Sequence, residues 1–487
     1  MISDLYQYII PDTSGIPLAP RIRTQSEITP ESIRLAMNRW ISYDMRFRQL
    51  YYAYVGLKPA DLALITLGED AQKDEAVMSN FCRYIVESLK GYIVGNPPEY
   101  ECAEGDTFGT AILDLFRKQN KSQVDADLIQ DMSTFGRAFE LVYLGDDGTP
   151  KSTVVSPRDA FVAYSGDVEQ DSIFGAVRYA EPHDDGTTSY RLYLYTAYDV
   201  QQWTSESQEG PWNLESAEPH PFGRVPLIEY ANNKEYMGDF ESIIALQNMY
   251  NRTLLNRVAD KDAFVKSILM ISGSVLGMTP DEVKTSLGVL KDNRVLQFDN
   301  DGSTASYLEK SMDETGVQVL QDQIKNDIHK FSMVPDLSDE QFANNASGIA
   351  MEYKMFGTNQ MVANKAIQFQ KGFTRRCKLY DAALNNPMGD GEASADISAM
   401  HIIFRINTPQ DLATLAPPLT QLVQAGIVSK GTARRAVALV RDADAEGEAV
   451  DKEADEQAER NRMAFESDFE MPPKMDVSEE DEDESAR

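Results

Sequence analysis

The sequence predicts an α+β fold, mostly helical, and three observations predict it. The stretch from Arg137 to Tyr230 alternates apolar and polar residues around the pairs Asp147-Gly148 and Asp185-Gly186, a pattern of antiparallel hairpins. Helical periodicity runs on both sides of that stretch. No proline interrupts the chain from Ser347 to Asn386, which leaves room for one helix of about forty residues, roughly 60 Å long.

The elements follow in chain order. Residues 1 to 70 read as mostly helical. In "TPESIRLAMNRWISYDMRFRQLYYAYVG", Thr29 is the N-cap, Pro30 takes the first helical position and Gly56 is the stop. A helix is expected from Lys73 to Lys90, and Asn96, Pro97 and Pro98 then break the chain. Two short helices, Ala111 to Lys118 and Val124 to Thr134, lead into the β region, which "RVPLIEY" closes. From Gly238 the helical pattern returns, with Phe240, Ile243, Ile244, Tyr250, Leu254 and Val258 on one stripe. Residues 270 to 310 hold short strands. The next helix starts at Ser311, which stands at capping-box spacing from Glu314. Its apolar residues, Val317, Leu320, Ile324, Ile328 and Phe331, form a narrow seam. The polar loop "PDLSDEQFANNAS" then precedes the long helix. There Ile349, Tyr353, Phe356, Ala363, Ile367, Phe373, Cys377, Tyr380 and Leu384 share a face. "MHIIFRI" is a strand, two or three short helices follow, and an acidic tail closes the sequence.

The formal net charge is -32. About fourteen of those charges fall between Asp442 and Arg487, a block expected to stay solvated and disordered. Such a balance argues against non-specific nucleic-acid binding by the whole chain but leaves room for local contact. Cys82, Cys102 and Cys377 are too widely spaced for a disulfide framework or a zinc site and are expected to be reduced thiols. No apolar run is long enough for a transmembrane helix, and the N-terminus lacks the basic start of a secretory signal, so no membrane partner is expected.

A search for chemistry returns little. His183, His220, His329 and His401 are scattered, and none belongs to an HExxH motif. "FDNDG" fails as a calcium loop because Gln297 and Leu308 stand where acidic ligands are needed. There is no GxxxxGK[ST] phosphate loop, no GxGxxG after a strand and no GxSxG elbow. No cofactor and no catalytic constellation is expected. Arg375, Arg376 and Lys378 read as solvent-facing helix charges, or else as a contact to phosphate or a subunit. Trp40, Tyr43, Phe47, Tyr51, Tyr52 and Tyr54 sit near helical spacing and suit core packing better than base stacking.

Several strings in order carry a resemblance: "GYIVGNPPEY", "STFGRAFELVYL", "HPFGRVPLIEYANNKEYMGDFESIIALQNMYN", "NDIHKFSMVPDLSDEQFANNASGIAMEYKM" and "VQAGIVSKGTARRAV". Over residues 75 to 440 the chain resembles the portal proteins of tailed bacteriophages, of the siphophage type. The resemblance implies a homo-oligomeric ring of about twelve subunits at the unique capsid vertex, with a channel for double-stranded DNA in packaging and ejection. It implies no enzymatic activity. The implied partners are the terminase large subunit, head–tail connector proteins, and the major capsid and scaffolding proteins. The implied location is the virion, and the host cytoplasm during assembly.

Carried onto this sequence, the resemblance implies a portal fold with a wing at 1–237 and a first stem helix at 238–262. A small α/β clip follows at 263–310, and a second stem helix at 311–334. A channel loop at 335–347 precedes a long helix with a returning wing strand at 348–407. A helical crown at 408–450 and an acidic, disordered tail at 451–487 complete it. The DNA-facing residues would be Asp336, Asp339, Glu340, Gln341, Asn344, Asn345 and Ser347. That loop contains no Lys or Arg. Six to ten cationic phosphate contacts change affinity by roughly 10³–10⁵ over a modest salt range, so an uncharged or acidic lining would let DNA slide. The asparagines can donate to phosphates without a fixed charge. Three alternatives stand beside this reading. They are another capsid structural protein (a minor head or connector protein), a metal-dependent nuclease, and a scaffold using its acidic tail.

Overall fold

The computed structural model describes residues 21–24, 28–56, 79–183, 186–207, 210–265, 268–272, 304–308, 314–338, 348–385, 394–407, 412–437, 439–440 and 443–468. The chain divides into two compact units, Met1–Ile406 and Asn407–Arg487. The α+β class holds: helices flank an antiparallel β region.

The first unit opens with β1 (Ile22–Thr24) and helices α1 (Pro30–Ile41) and α2 (Asp44–Val55). The Thr29 side chain accepts the Ser32 N–H, and Ser32 answers on the Thr29 N–H, a reciprocal cap that satisfies two free donors. Ile33, Ala36, Met37 and Trp40 recur every three or four residues and are buried. Gly56 stops α2 in the left-handed conformation. Trp40, Tyr43 and Phe47 are core residues, as their spacing implies. Helices α3 (Phe81–Val94), α4 (Thr107–Lys118) and α5 (Lys121–Phe135) follow, with Asn80 and Asp106 as N-caps of the first two. Residues 73–78, part of the expected Lys73–Lys90 helix, lie outside the described residues. Gly136 ends α5 at φ +78, and a Cβ there would lie 2.0 Å from the Tyr236 carbonyl oxygen, so only glycine fits.

The β region forms two sheets. Strands β3 (Arg137–Leu144), β4 (Pro150–Val155) and β10 (Leu227–Ala231) make one, with β3 central. Strands β5 (Ala160–Ser165), β6 (Ser172–Pro182), β7 (Thr188–Tyr195), β8 (Asp199–Ser205) and β9 (Asn213–Pro219) form an antiparallel meander. Strand β1 extends that meander by pairing parallel with β5. Within Arg137–Tyr230 the described strands pair antiparallel, as expected; β1 is a short strand that the mostly helical reading of residues 1–70 did not single out. Three residues are too few to show a period of two. Strand β2 (Glu99–Glu101) pairs with β13 (His401–Ile403), so the late strand expected near His401 returns to the early part of the chain.

Three further helices complete this unit. A 3-10 turn (Glu241–Ile243) leads into α6 (Ile244–Val265), α7 spans Glu314–Ser332, and α8 spans Gly348–Asn385. Between α6 and α7, β11 (Ile268–Ser272) and β12 (Thr304–Leu308) pair antiparallel; residues 273–303 and the expected helix start at Ser311 lie outside the described residues. Helix α8 is a single 38-residue helix, as the missing prolines imply. Its buried face differs from the expected stripe. Val362, Phe369, Phe373, Cys377, Leu379 and Tyr380 are buried, whereas Tyr353, Phe356 and Ile367 are 78%, 60% and 60% exposed. On α7, Ile324 and Ile328 are buried but Leu320 and Phe331 face outward. These outward residues belong to apolar stripes that the rest of this unit does not cover.

The second unit contains α9 (Leu412–Gln424), α10 (Lys430–Arg435) and α11 (Ala443–Asp468). Ser429 caps α10 through the Thr432 N–H. Residues 451–468 are helical, which corrects the expected disorder of the tail from 451 onward. That stretch is rich in Ala and Glu, both good helix formers, and Glu456 pairs with Arg460 one turn on.

Candidate functional site

Helices α6 and α7 are joined by polar contacts. The Arg257 guanidinium donates to Glu314 at 2.5 and 2.9 Å, to Gln318 at 2.7 Å and to Gln321 at 3.0 Å. The Lys261 ammonium stands 3.4 Å from the same Glu314 carboxylate.

Past α7 the chain turns sharply, and the sequence explains why. Met333 takes a left-handed φ of 56°. Val334 precedes Pro335 and so disfavours helical backbone. Four side chains, from three helices, then grip the turn. The Thr358 hydroxyl, on α8, donates to the Met333 carbonyl at 2.6 Å. His329 Nδ1 lies 2.9 Å from the Val334 carbonyl oxygen; a carbonyl only accepts, so that nitrogen carries the proton. The Tyr84 hydroxyl, on α3, donates to the Pro335 carbonyl at 3.1 Å and accepts the Leu337 N–H at 3.0 Å. Asp336 receives the Lys325 ammonium at 2.6 Å. It also receives the Ser338 hydroxyl at 2.6 Å and the Ser338 N–H at 3.0 Å. Burial alone would raise the Asp336 pKa, but hydrogen bonds from Lys325 and Ser338 outweigh it and bring the value down to about 2.

Among the described side chains of α8, Thr358, Lys365 and Arg376 are buried and polar. They are spaced seven and eleven residues apart, close to two and three turns, so they share one face. Each reaches a different part of the fold. Thr358 holds the end of α7. The Lys365 ammonium lies 2.5 Å from Asp239, just ahead of α6, and 2.6 Å from the Ser133 hydroxyl on α5. Arg376 donates to Asp125 at 2.7 Å and to Glu140 at 2.8 Å. Tyr100 donates to Asp125 at 2.6 Å, and Tyr230 to Glu140 at 2.6 Å. Burial works against the ionised Glu140, but Arg376 and Lys121 pull its pKa below the ordinary value. Burial pushes the Asp125 carboxyl up, against the pull of Arg376. Burial also lowers the Lys121 ammonium to about 8.

Arg376 therefore corrects the sequence reading of a solvent-facing basic cluster. Its neighbour Lys378 is exposed, but Arg376 is fully buried. A signal was present: position 376 falls on the same helical face as Phe369, Phe373 and Tyr380. Of the loop residues expected to face DNA, Asp336 lies in the gripped turn and is engaged by Lys325. Asp339, Glu340, Gln341, Asn344, Asn345 and Ser347 lie outside the described residues. Tyr84, Lys325, His329 and Thr358 were not singled out from the sequence for this turn. Tyr84 is 251 residues from Pro335, and no local pattern marks so distant a pairing. Among the described residues no group of three or more His, Cys, Asp or Glu could hold a metal ion. No helix of the described residues is long and apolar enough to cross a membrane.

Comparison with known proteins extends these observations. The family model described as phage portal protein, SPP1 Gp6-like, matches residues 47–460. The portal protein of Bacillus phage SPP1 is 20% identical over 424 residues, which cover 85% of this chain and 81% of that protein. Among solved structures, a chain in the neck of an empty GTA particle computed with C6 symmetry has a TM-score of 0.42 and 13% identity. That likeness covers 77% of this chain and 93% of the other.

Proposed function

The chain belongs to the phage portal protein family, SPP1 Gp6-like, and from that premise we propose that it forms a ring of about twelve copies at the unique capsid vertex. The channel of that ring passes double-stranded DNA inward during packaging and outward during ejection. The family match over residues 47–460 carries this reading.

Particular features support it. Helices α6 and α7 act as the stem, with β11 and β12 at the base of the clip. Residues 1–237 with β13 act as the wing, and 408–450 as the crown. The uncovered apolar side chains Leu320, Phe331, Tyr353 and Phe356 are surfaces on which a neighbouring copy would pack. Residues 335–347 line the channel, where the lack of Lys and Arg keeps DNA contacts weak. Within that segment Asp336 anchors the turn, and Asp339, Glu340, Gln341, Asn344, Asn345 and Ser347 meet DNA. The terminase large subunit, head–tail connectors, and major capsid and scaffolding proteins are its partners. The chain itself performs no catalysis; it joins the virion after assembling in the host cytoplasm.

Replacing both Asn344 and Asn345 with arginine tests the channel assignment. Rings should assemble normally, while packaging slows or stalls as phosphates are gripped. Full-length packaging at the normal rate in that variant would remove the assignment.

A further inference from the structure

The turn Met333–Ser338 is held more firmly than a helix end requires. A left-handed residue and a proline are enough to stop α7. What Tyr84, Lys325, His329 and Thr358 add is a fixed direction for the departing chain. The Tyr84 hydroxyl bonds to main-chain atoms on both sides of Asp336. The Asp336 carboxylate is turned back onto α7 by Lys325. The Tyr84 ring also meets His329 edge-on, with centroids 5.7 Å apart. Three helices thus converge on six residues.

We propose that Tyr84 and Asp336 are positioning residues for DNA passage: they fix the direction in which the chain leaves α7 and so set where the following segment stands in the channel. The inference rests on the reading of 335–347 as the channel segment. Neither residue needs to touch DNA. Tyr84 acts through the Pro335 carbonyl and the Leu337 amide, and Asp336 through Lys325 and Ser338.

The experiment uses full-length Tyr84→Phe and Asp336→Asn in assembled particles, beside the Asn344→Arg, Asn345→Arg double variant. Tyr84→Phe removes only a hydroxyl, so folding and ring formation should match the parent. Amide exchange in a peptide covering Met333–Ser338 should quicken by roughly ten- to hundredfold, because two hydrogen bonds are gone. Exchange elsewhere should be unchanged, and the packaging rate should fall at an unchanged number of rings. Asp336→Asn should behave alike. Unchanged exchange in that peptide, or faster exchange with packaging at the normal rate, would overturn the inference. Normal packaging by the double arginine variant would overturn the channel reading and the inference with it. Stalling of the arginine variant beside normal packaging by Tyr84→Phe would overturn the inference alone.

Discussion

The Arg376 guanidinium, on the long helix α8, lies 2.7 Å from the Asp125 carboxylate on α5, and both side chains are fully buried. The same guanidinium reaches Glu140 on β3 at 2.8 Å. One side chain therefore ties the long helix to a helix and a sheet at once. Further along the same face, Lys365 ties it to Asp239, and Thr358 ties it to the end of α7.

Removing Arg376 should be costly. Arg376→Met leaves two buried carboxylates facing one another across the vacated site, with Lys121 as the remaining cation nearby. Breaking a buried pair in this way costs about 3–5 kcal/mol, seen as a lower midpoint in urea. Arg376→Lys should not restore stability, because Arg376 reaches Glu140 from Nε and Asp125 from a separate terminal nitrogen, and a compact ammonium lacks that fork. A midpoint unchanged in Arg376→Met would contradict the network.

The three thiols should differ in reactivity. Burial pushes both Cys82 and Cys377 up to about 12, so almost no thiolate forms at neutral pH. Cys102 is half-buried in the loop just after β2. A maleimide should label Cys102 in the native protein and reach the other two only in denaturant. Native labelling of all three would show that the core opens far more readily than its packing implies.

The β hairpins were legible because Asp147-Gly148 and the flanking alternation are local signals. The long helix was legible because an unbroken stretch of 38 residues has no competing period. Arg376 and Lys365 were not read as core, because their partners lie 126 to 251 residues away and charge in a helix normally means solvent. Tyr353, Phe356 and Ile367 share an apolar face in the sequence, yet in the structure they point outward. Periodicity reports that a face is apolar, not what covers it. In the turn after α7, Pro335 and the polar run marked a loop, but the Tyr84 anchor comes from a distant helix with no local trace.

The turn should also respond to acid in a defined way. The Asp336 pKa falls from 3.8 to about 2 in the folded state. A depressed carboxyl contributes stability that is present above the unfolded value and is lost as pH falls through the folded one. Protection of the Leu337 amide, corrected for intrinsic exchange, should hold steady from neutral pH to about 4 and decline towards about 2. Asp336→Asn should remove that decline. An identical acid profile in both proteins would show that Asp336 does not hold the turn.

Apolar residues exposed on one copy should matter only in the assembly. Phe356→Asp should leave the unfolding free energy of an isolated subunit within about 0.5 kcal/mol of the parent, as for surface positions generally. It should also weaken ring formation, measured by sedimentation at equal subunit concentration. Unimpaired rings in that variant would remove α8 from the subunit contact.

Electron microscopy of the purified assembly tests the central claim most directly. The expected image is a closed ring with an axial hole whose narrowest point is made by residues 335–347 of every copy. A particle without a central opening, or one with that segment on its outer edge, would contradict it.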